Sequence, residues 1–275
     1  MIQLTEAVLL GIIQGLTEFI PVSSTAHLRV IPALLGLPDP GAAYSAVIQL
    51  GTLISLLIYF RRDLTTFTIA SVQGLFSGKP FEEENSRMLW FLAVGTVPVC
   101  IFGLLFSKYI TGDLRSLYVI AASLIVFAII LYAVDRYSKG TKQIGDFNLR
   151  DALLIGLAQS LALIPGASRS GMTLMMGLGL KYTRESSMRI SFLLSIPAIA
   201  LSGFYELYKE REALAATGFP GLLVATVVSA IVGYLSVAFL LKFLRTHSTA
   251  LFAVYRIVLG VILLVLLKMG YLSAL

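Results

Sequence analysis

Glu18, Ser23, Ser24, Thr25 and His27 stand within ten positions of one another inside the otherwise apolar run LLGIIQGLTEFIPVSSTAH. Gln14 and Glu18 are four apart, so on a helix they share a face. A carboxylate in a membrane-grade segment is costly to hold there and by default marks a functional site. It suits proton transfer; the plainer role is a hydrogen bond between helices. Pro21 breaks the helix, and Ser or Thr after it can cap a new one. A helix start exposes free amide N–H groups, and with the helix dipole these make an anion site. Ser23, Ser24 and Thr25 therefore read either as caps or as phosphate contacts and a nucleophile, and their spacing leaves both open. His27 lies one turn beyond Ser24. A lone histidine in a membrane is often only a hydrogen-bonding group, but beside Glu18 and three hydroxyls proton transfer is the better reading.

A second polar interruption, PGASRSGMT at 165–173, supplies what the first lacks. Arg169 is a permanent cation whose planar fork suits a phosphate. Ser168, Ser170 and Thr173 add hydroxyls, and Gly166 and Gly171 allow close backbone approach. Arg169 could instead serve only to neutralise Glu18, which leaves the hydroxyls unexplained. Taken together, a base, an alcohol, a histidine, an arginine and helix starts fit an anionic phosphate ester and in-line displacement at phosphorus. Arg256 in VYRIVLG and Gln49 in IQLGT are further polar groups in apolar surroundings, and the sequence assigns neither a role. No phosphate loop, dinucleotide fingerprint, HExxH or CxxC occurs, and two histidines with one cysteine argue against zinc.

The elements that must hold these residues are membrane helices. Of 275 residues, 57% are hydrophobic and only 13% charged, against about one-quarter charged in soluble domains. The net charge of +6 then concerns loop orientation and anionic headgroups rather than nucleic acid. Cys100 is alone, so no internal disulfide forms, and the N-terminus does not read as a secretory signal because Glu6 and Glu18 interrupt it. Segments at 43–60, 88–107, 117–135, 190–207 and 220–242 approach or exceed the roughly 20 residues a span needs, and 250–269 is interrupted only by Arg256.

Segments 7–35 and 152–180 are apolar but broken by the two polar runs. Their centres, GIIQGLTEFIPVSS and GLAQSLALIPGAS, match with one register slip, and three spans follow each. This predicts an all-α polytopic fold with about six transmembrane helices and two broken re-entrant segments. It forms one membrane domain of two repeats, 1–145 and 146–275. Three spans per half is odd, so re-entrant breaks require inverted topology, and paired breaks in inverted repeats point to a site at the bilayer midplane. The simpler alternative is two ordinary spans kinked at proline. Loops 61–87, 136–150, 181–189 and 242–249 then share a side rich in Lys and Arg, which the positive-inside rule makes cytoplasmic. The first broken segment faces outward.

QGLTEFIPVSSTAH and PGASRSGMT resemble the two signature motifs of the undecaprenyl-diphosphate phosphatase family of the bacitracin-resistance type, and the resemblance runs the length of the chain. It implies a multi-pass enzyme of the bacterial inner membrane, with its site facing the periplasm. That enzyme hydrolyses undecaprenyl diphosphate to the monophosphate, recycles the lipid carrier for wall synthesis and confers bacitracin tolerance. It implies Glu18, Ser24, His27 and Arg169 as catalytic residues. Gln14, Ser168 and Thr173 take supporting roles on the same ground, and Ser23, Thr25 and Ser170 join them from their place in the motifs. It also implies a divalent cation, Mg2+ or Ca2+, with Glu18 a possible ligand; Gln14 stands where the family can carry a second carboxylate. The expected partners are a polyprenyl diphosphate and membrane lipids, and a homodimer is compatible with the sequence. Ser24, His27 or a water could be the nucleophile, with Ser24 preferred. The competing class is a carrier or flippase of a lipid phosphate, which would want a similar pocket without a nucleophile.

Overall fold

A computed structural model describes residues 3–212, 214 and 219–273. Its regular structure is helical, and among the described residues the only β pairing is one isolated bridge between Lys142 and Tyr182. In chain order the helices are α1 (Leu4–Thr17), α2 (Ser24–Leu34), α3 (Gly41–Tyr59), α4 (Arg61–Phe76), α5 (Glu84–Leu105), short α6 (Ser107–Thr111) and α7 (Leu117–Tyr137). They continue with α8 (Leu149–Ser160), α9 (Arg169–Gly179), α10 (Arg184–Lys209), α11 (Phe219–Leu244) and α12 (Ala250–Lys268).

Six of these, α3, α5, α7, α10, α11 and α12, are long and apolar enough to cross a membrane, and they coincide with the six expected segments. The protein is a multi-pass membrane protein. Helices α5 and α10 start several residues before their apolar stretches. Hydropathy marks what lies in lipid, whereas the hydrogen-bonded helix runs on through ENSR and RESSMR. Two helices were not expected, α4 and the short α6. The charged stretch after Phe60 folds as α4, whose first turn carries Asp63 at the favourable positive end of the dipole. Its Phe67 and Ala70 are buried, while Ile69, Val72, Leu75 and Phe76 remain exposed.

The broken segments are hairpins. Helix α1 has 14 residues and α2 has 11, so neither arm alone covers the roughly 30 Å of a hydrocarbon core. The same holds for α8 with 12 residues and α9 with 11. Each first arm lies tightly against a spanning helix through glycines. A Cβ at Gly15 would stand 2.8 Å from the Gly233 nitrogen on α11, and one at Gly156 only 2.1 Å from the Gly95 oxygen on α5. Small residues permit such approach, and the contact itself supplies the attraction inside lipid. The hairpins are thereby wedged into the bundle with their breaks turned toward one another.

Charge lies at the two ends. Asp63 pairs with Arg189, Asp135 with Arg184, and Glu185 with Arg245. The Thr249 amide and hydroxyl both donate to Asp135. These contacts tie together the loops expected to share one side. At the other end Asp39 receives both Arg29 and Arg115.

Candidate active site

The two breaks are built alike. Helix α1 ends at Glu18, whose amide still donates to the Gln14 carbonyl. Beyond Pro21 the chain turns through Ser23 at φ 74°, the left-handed region that few non-glycine residues enter. That turn lets α2 begin at Ser24, with the Ser23 hydroxyl accepting from the Ala26 amide at 3.3 Å. In the second break Ser168 takes φ 73°, its hydroxyl accepts from the Gly171 amide at 3.2 Å, and α9 begins at Arg169. Two strained serines at matched places cost about 1–3 kcal/mol each, which points to a purpose beyond packing. Once the serines have capped the Ala26 and Gly171 amides, those of Ser24, Thr25, Arg169 and Ser170 have no acceptor among the described residues. Two helix starts therefore present free donors.

Glu18 is the hub. One carboxylate oxygen accepts from the Ser24 hydroxyl at 2.5 Å and from the Gln14 amide nitrogen at 2.9 Å. The other oxygen receives the Arg169 guanidinium across 151 residues of sequence. Glu18, Ser24 and Gln14 are buried, and the Arg169 side chain is 16% exposed. The Ser24 hydroxyl thus already points its proton at a carboxylate. A phosphate arriving between the helix starts would meet the arginine, the free amides and that hydroxyl together.

The remaining candidates fall around this centre. Ser168 and Ser170 share a hydrogen bond of 3.2 Å. The Thr173 hydroxyl donates to the Arg169 carbonyl at 2.8 Å and lies 2.6 Å from the Ser191 hydroxyl on α10, so it braces the first turn of α9. Thr25 is half-buried and makes no side-chain hydrogen bond among the described residues. Gln49 lies half-buried on α3, and its side chain bonds to none of these residues. His27 is not bonded to Ser24 or Glu18. Its Nδ1 lies 2.8 Å from the Ser23 carbonyl and its Nε2 lies 2.7 Å from the Tyr255 hydroxyl.

Arg256 is fully buried and has no carboxylate partner among the described residues. Its guanidinium donates to the Gly166 and Ala167 carbonyls at 2.9 Å each and to the Pro21 carbonyl at 3.4 Å. It clamps the two breaks to each other. Gly171 faces it so closely that a Cβ there would lie 3.0 Å from the guanidinium. Tyr255, Ser191 and Gln159 escaped the sequence reading. Tyr255 adjoins Arg256 in VYRIVLG, and Gln159 matches Gln14 in the aligned breaks, so both had a signal. Gln159 is fully buried with neither amide atom bonded. Phe19, next to Glu18, is buried edge-on to Phe192 at 5.2 Å.

Comparison with known proteins gives a consistent answer. A protein from Chlorobium phaeobacteroides (strain BS1) named undecaprenyl-diphosphatase is 53% identical over 98% of this chain and 99% of its own length. Proteins of the same name from Chloroherpeton thalassium and Myxococcus xanthus (strain DK1622) are 51% and 52% identical. They cover 98% of this chain in each case, and 98% and 91% of their own lengths. The sequence model described as bacitracin resistance protein BacA matches residues 7–262, which takes in both breaks and Arg256, and the chain belongs to that family.

Proposed function

We propose that this chain is a membrane phosphatase that hydrolyses undecaprenyl diphosphate to undecaprenyl phosphate and inorganic phosphate. It thereby recycles the lipid carrier for wall synthesis and confers bacitracin resistance. The observation that carries the reading is the Ser24–Glu18–Arg169 constellation at two helix starts with free amides. The names borne by the relatives supply the substrate.

The resting contacts suggest the order of events. The diphosphate competes with Glu18 for Arg169 and takes up the free amides of α2 and α9. Glu18, released from its ion pair, is free to take the proton of the Ser24 hydroxyl it already receives. The Ser24 oxygen bonds to the terminal phosphorus, its proton passes to Glu18, and the bond from that phosphorus to the bridging oxygen breaks. Undecaprenyl phosphate leaves with that oxygen. Water then attacks the phosphoserine, and inorganic phosphate departs with restoration of the Ser24 hydroxyl. Arg169 and the amides hold the charge on the equatorial oxygens throughout.

The residues present fit a divalent cation held chiefly by the substrate. Among the described residues no three of His, Cys, Asp or Glu gather. Glu18 offers one carboxylate, and Gln14 Oε1 is a buried acceptor without a partner. Magnesium is commonly bound through one or two carboxylates plus substrate phosphates. When bound, it neutralises charge on the diphosphate. The two hairpins belong to halves of inverted topology, 1–145 and 146–275. The excess of Lys and Arg in the loops at 61–87, 136–150, 181–189 and 242–249 supports cytoplasmic loops on that side and a site that faces the periplasm of the inner membrane.

The test is phosphate release from a prenyl diphosphate by detergent-purified protein, with and without EDTA, beside Ser24→Ala and Glu18→Gln. Both variants should lose turnover while remaining folded, and EDTA should slow the wild type. Phosphoserine at Ser24 should be trapped by acid quench. Near-full activity in Ser24→Ala sinks the serine mechanism. No release from folded wild type would move the assignment to a carrier, tested by translocation in vesicles.

A further inference from the structure

Tyr255 contributes nothing to the chemistry outlined above, yet it holds one of the two nitrogens of His27. The other nitrogen, Nδ1, faces the Ser23 carbonyl at 2.8 Å. A carbonyl can only accept, so Nδ1 carries the hydrogen. Nε2 therefore presents its lone pair to the Tyr255 hydroxyl, 2.7 Å away, and the hydroxyl donates. The two ring planes are nearly parallel, 9° apart with centroids at 5.6 Å, so the rings also stack on one another.

We propose that Tyr255 is a positioning residue for the phosphatase reaction: it holds Nε2 of His27, whose Nδ1–H the Ser23 carbonyl already fixes, and so sets the imidazole's place at the start of α2. The proposal rests on the reading that His27 belongs to the active site. Ser23 is the strained left-handed residue of the first break, so its carbonyl direction is set by that turn. Arg256, the next residue along α12, is pinned to the carbonyls of both breaks. One turn of α12 thus fixes the breaks with one side chain and the imidazole with the other. A hydroxyl is also a partner that suits either charge state of the ring. It donates to neutral Nε2 and accepts from Nε2–H if His27 takes up a proton, without either ring moving. Phenylalanine could do neither. Tyr255 is 45% exposed and phenylalanine keeps its ring, so Tyr255→Phe removes only the hydroxyl.

The chain contains two histidines, and the second, His247, is exposed in the loop after α11. In 15N-histidine-labelled protein, His247→Gln therefore leaves a single imidazole to observe. The wild-type side chain should show a protonated Nδ1 and an unprotonated Nε2; in Tyr255→Phe the Ser23 carbonyl still holds Nδ1–H, but the Nε2 resonance should shift because its donor is lost. In steady-state assays on a prenyl diphosphate, Tyr255→Phe should lower kcat about tenfold or more with KM nearly unchanged. In a His27→Asn background the same substitution should change kcat by less than about twofold, because its target is gone. Wild-type kcat in Tyr255→Phe, or an equal loss in both backgrounds, overturns the proposal. A His27→Asn enzyme at the wild-type rate overturns it together with any role for His27. If Ser24→Ala is then still inactive, the phosphatase reading survives.

Discussion

Arg256→Met is the substitution that most directly probes how the site is assembled. Methionine keeps the apolar stem and removes every donor. The guanidinium makes two good bonds at 2.9 Å, to Gly166 and Ala167, and a weaker third to Pro21 at 3.4 Å. Leaving a buried carbonyl unpaired costs about 1–3 kcal/mol, so the two short bonds set a loss of about 2–6 kcal/mol. Removing a buried cation without a carboxylate partner offsets part of that, leaving about 2–4 kcal/mol. The effect on turnover is separate. The clamp joins a break that carries Glu18 and Ser24 to one that carries Arg169, and a misplacement of about 1 Å costs roughly 100-fold. The measurement is the unfolding midpoint in detergent alongside kcat of the folded fraction. Arg256→Lys should fall between, since an ammonium keeps the charge but cannot fork across two carbonyls. A methionine variant that melts and turns over like wild type refutes the argument. A lower midpoint with wild-type kcat refutes its catalytic half alone.

Three further substitutions bear on the geometry. Arg169→Lys should keep the charge opposite Glu18 but lose the planar fork, weakening substrate binding and turnover by about tenfold or more, read as kcat/KM. Gly156→Ala puts a methyl against the Gly95 oxygen, where α5 and α8 touch, and should lower the unfolding midpoint by the equivalent of about 1–3 kcal/mol. Asp151, at the loop end of α8, is buried, which by itself would raise its pKa, but bonds from Lys142, Tyr182 and Asn148 outweigh this and hold the carboxyl below its usual value. Its contribution is therefore full above the unfolded value of about 3.9 and is lost as pH falls through the lower folded one. Asp151→Asn should be less stable than wild type at neutral pH, and acid titration should show the gap narrowing below about pH 4.

The six spans were legible because lipid demands an unbroken apolar run, and the breaks because proline and polar residues cannot continue one. Helix α4 was hidden, since RRDLTTFT carries neither a span's apolarity nor a clean amphipathic stripe. Within the site, the attraction between Glu18 and Arg169 followed from the cost of an unpaired charge in lipid. The division of labour among the serines did not. Capping and catalysis both suit Ser23 and Ser24, and only the positive φ at Ser23 makes it the cap and frees Ser24 for Glu18. The His27 pairing was out of reach for a different reason, because its partner lies 228 residues away with nothing local to announce it.

The ion pair across the two breaks also sets a clock for biosynthesis. Glu18 is inserted early, but Arg169 follows it by 151 residues. At about 5–20 residues per second, the ribosome needs roughly 8–30 s to deliver the arginine. For that interval the carboxylate of the first hairpin must remain wet, protonated or attended by the insertion machinery. The nascent chain is a membrane protein with an unmatched acid, and its active centre comes into being only when the second hairpin enters the bilayer.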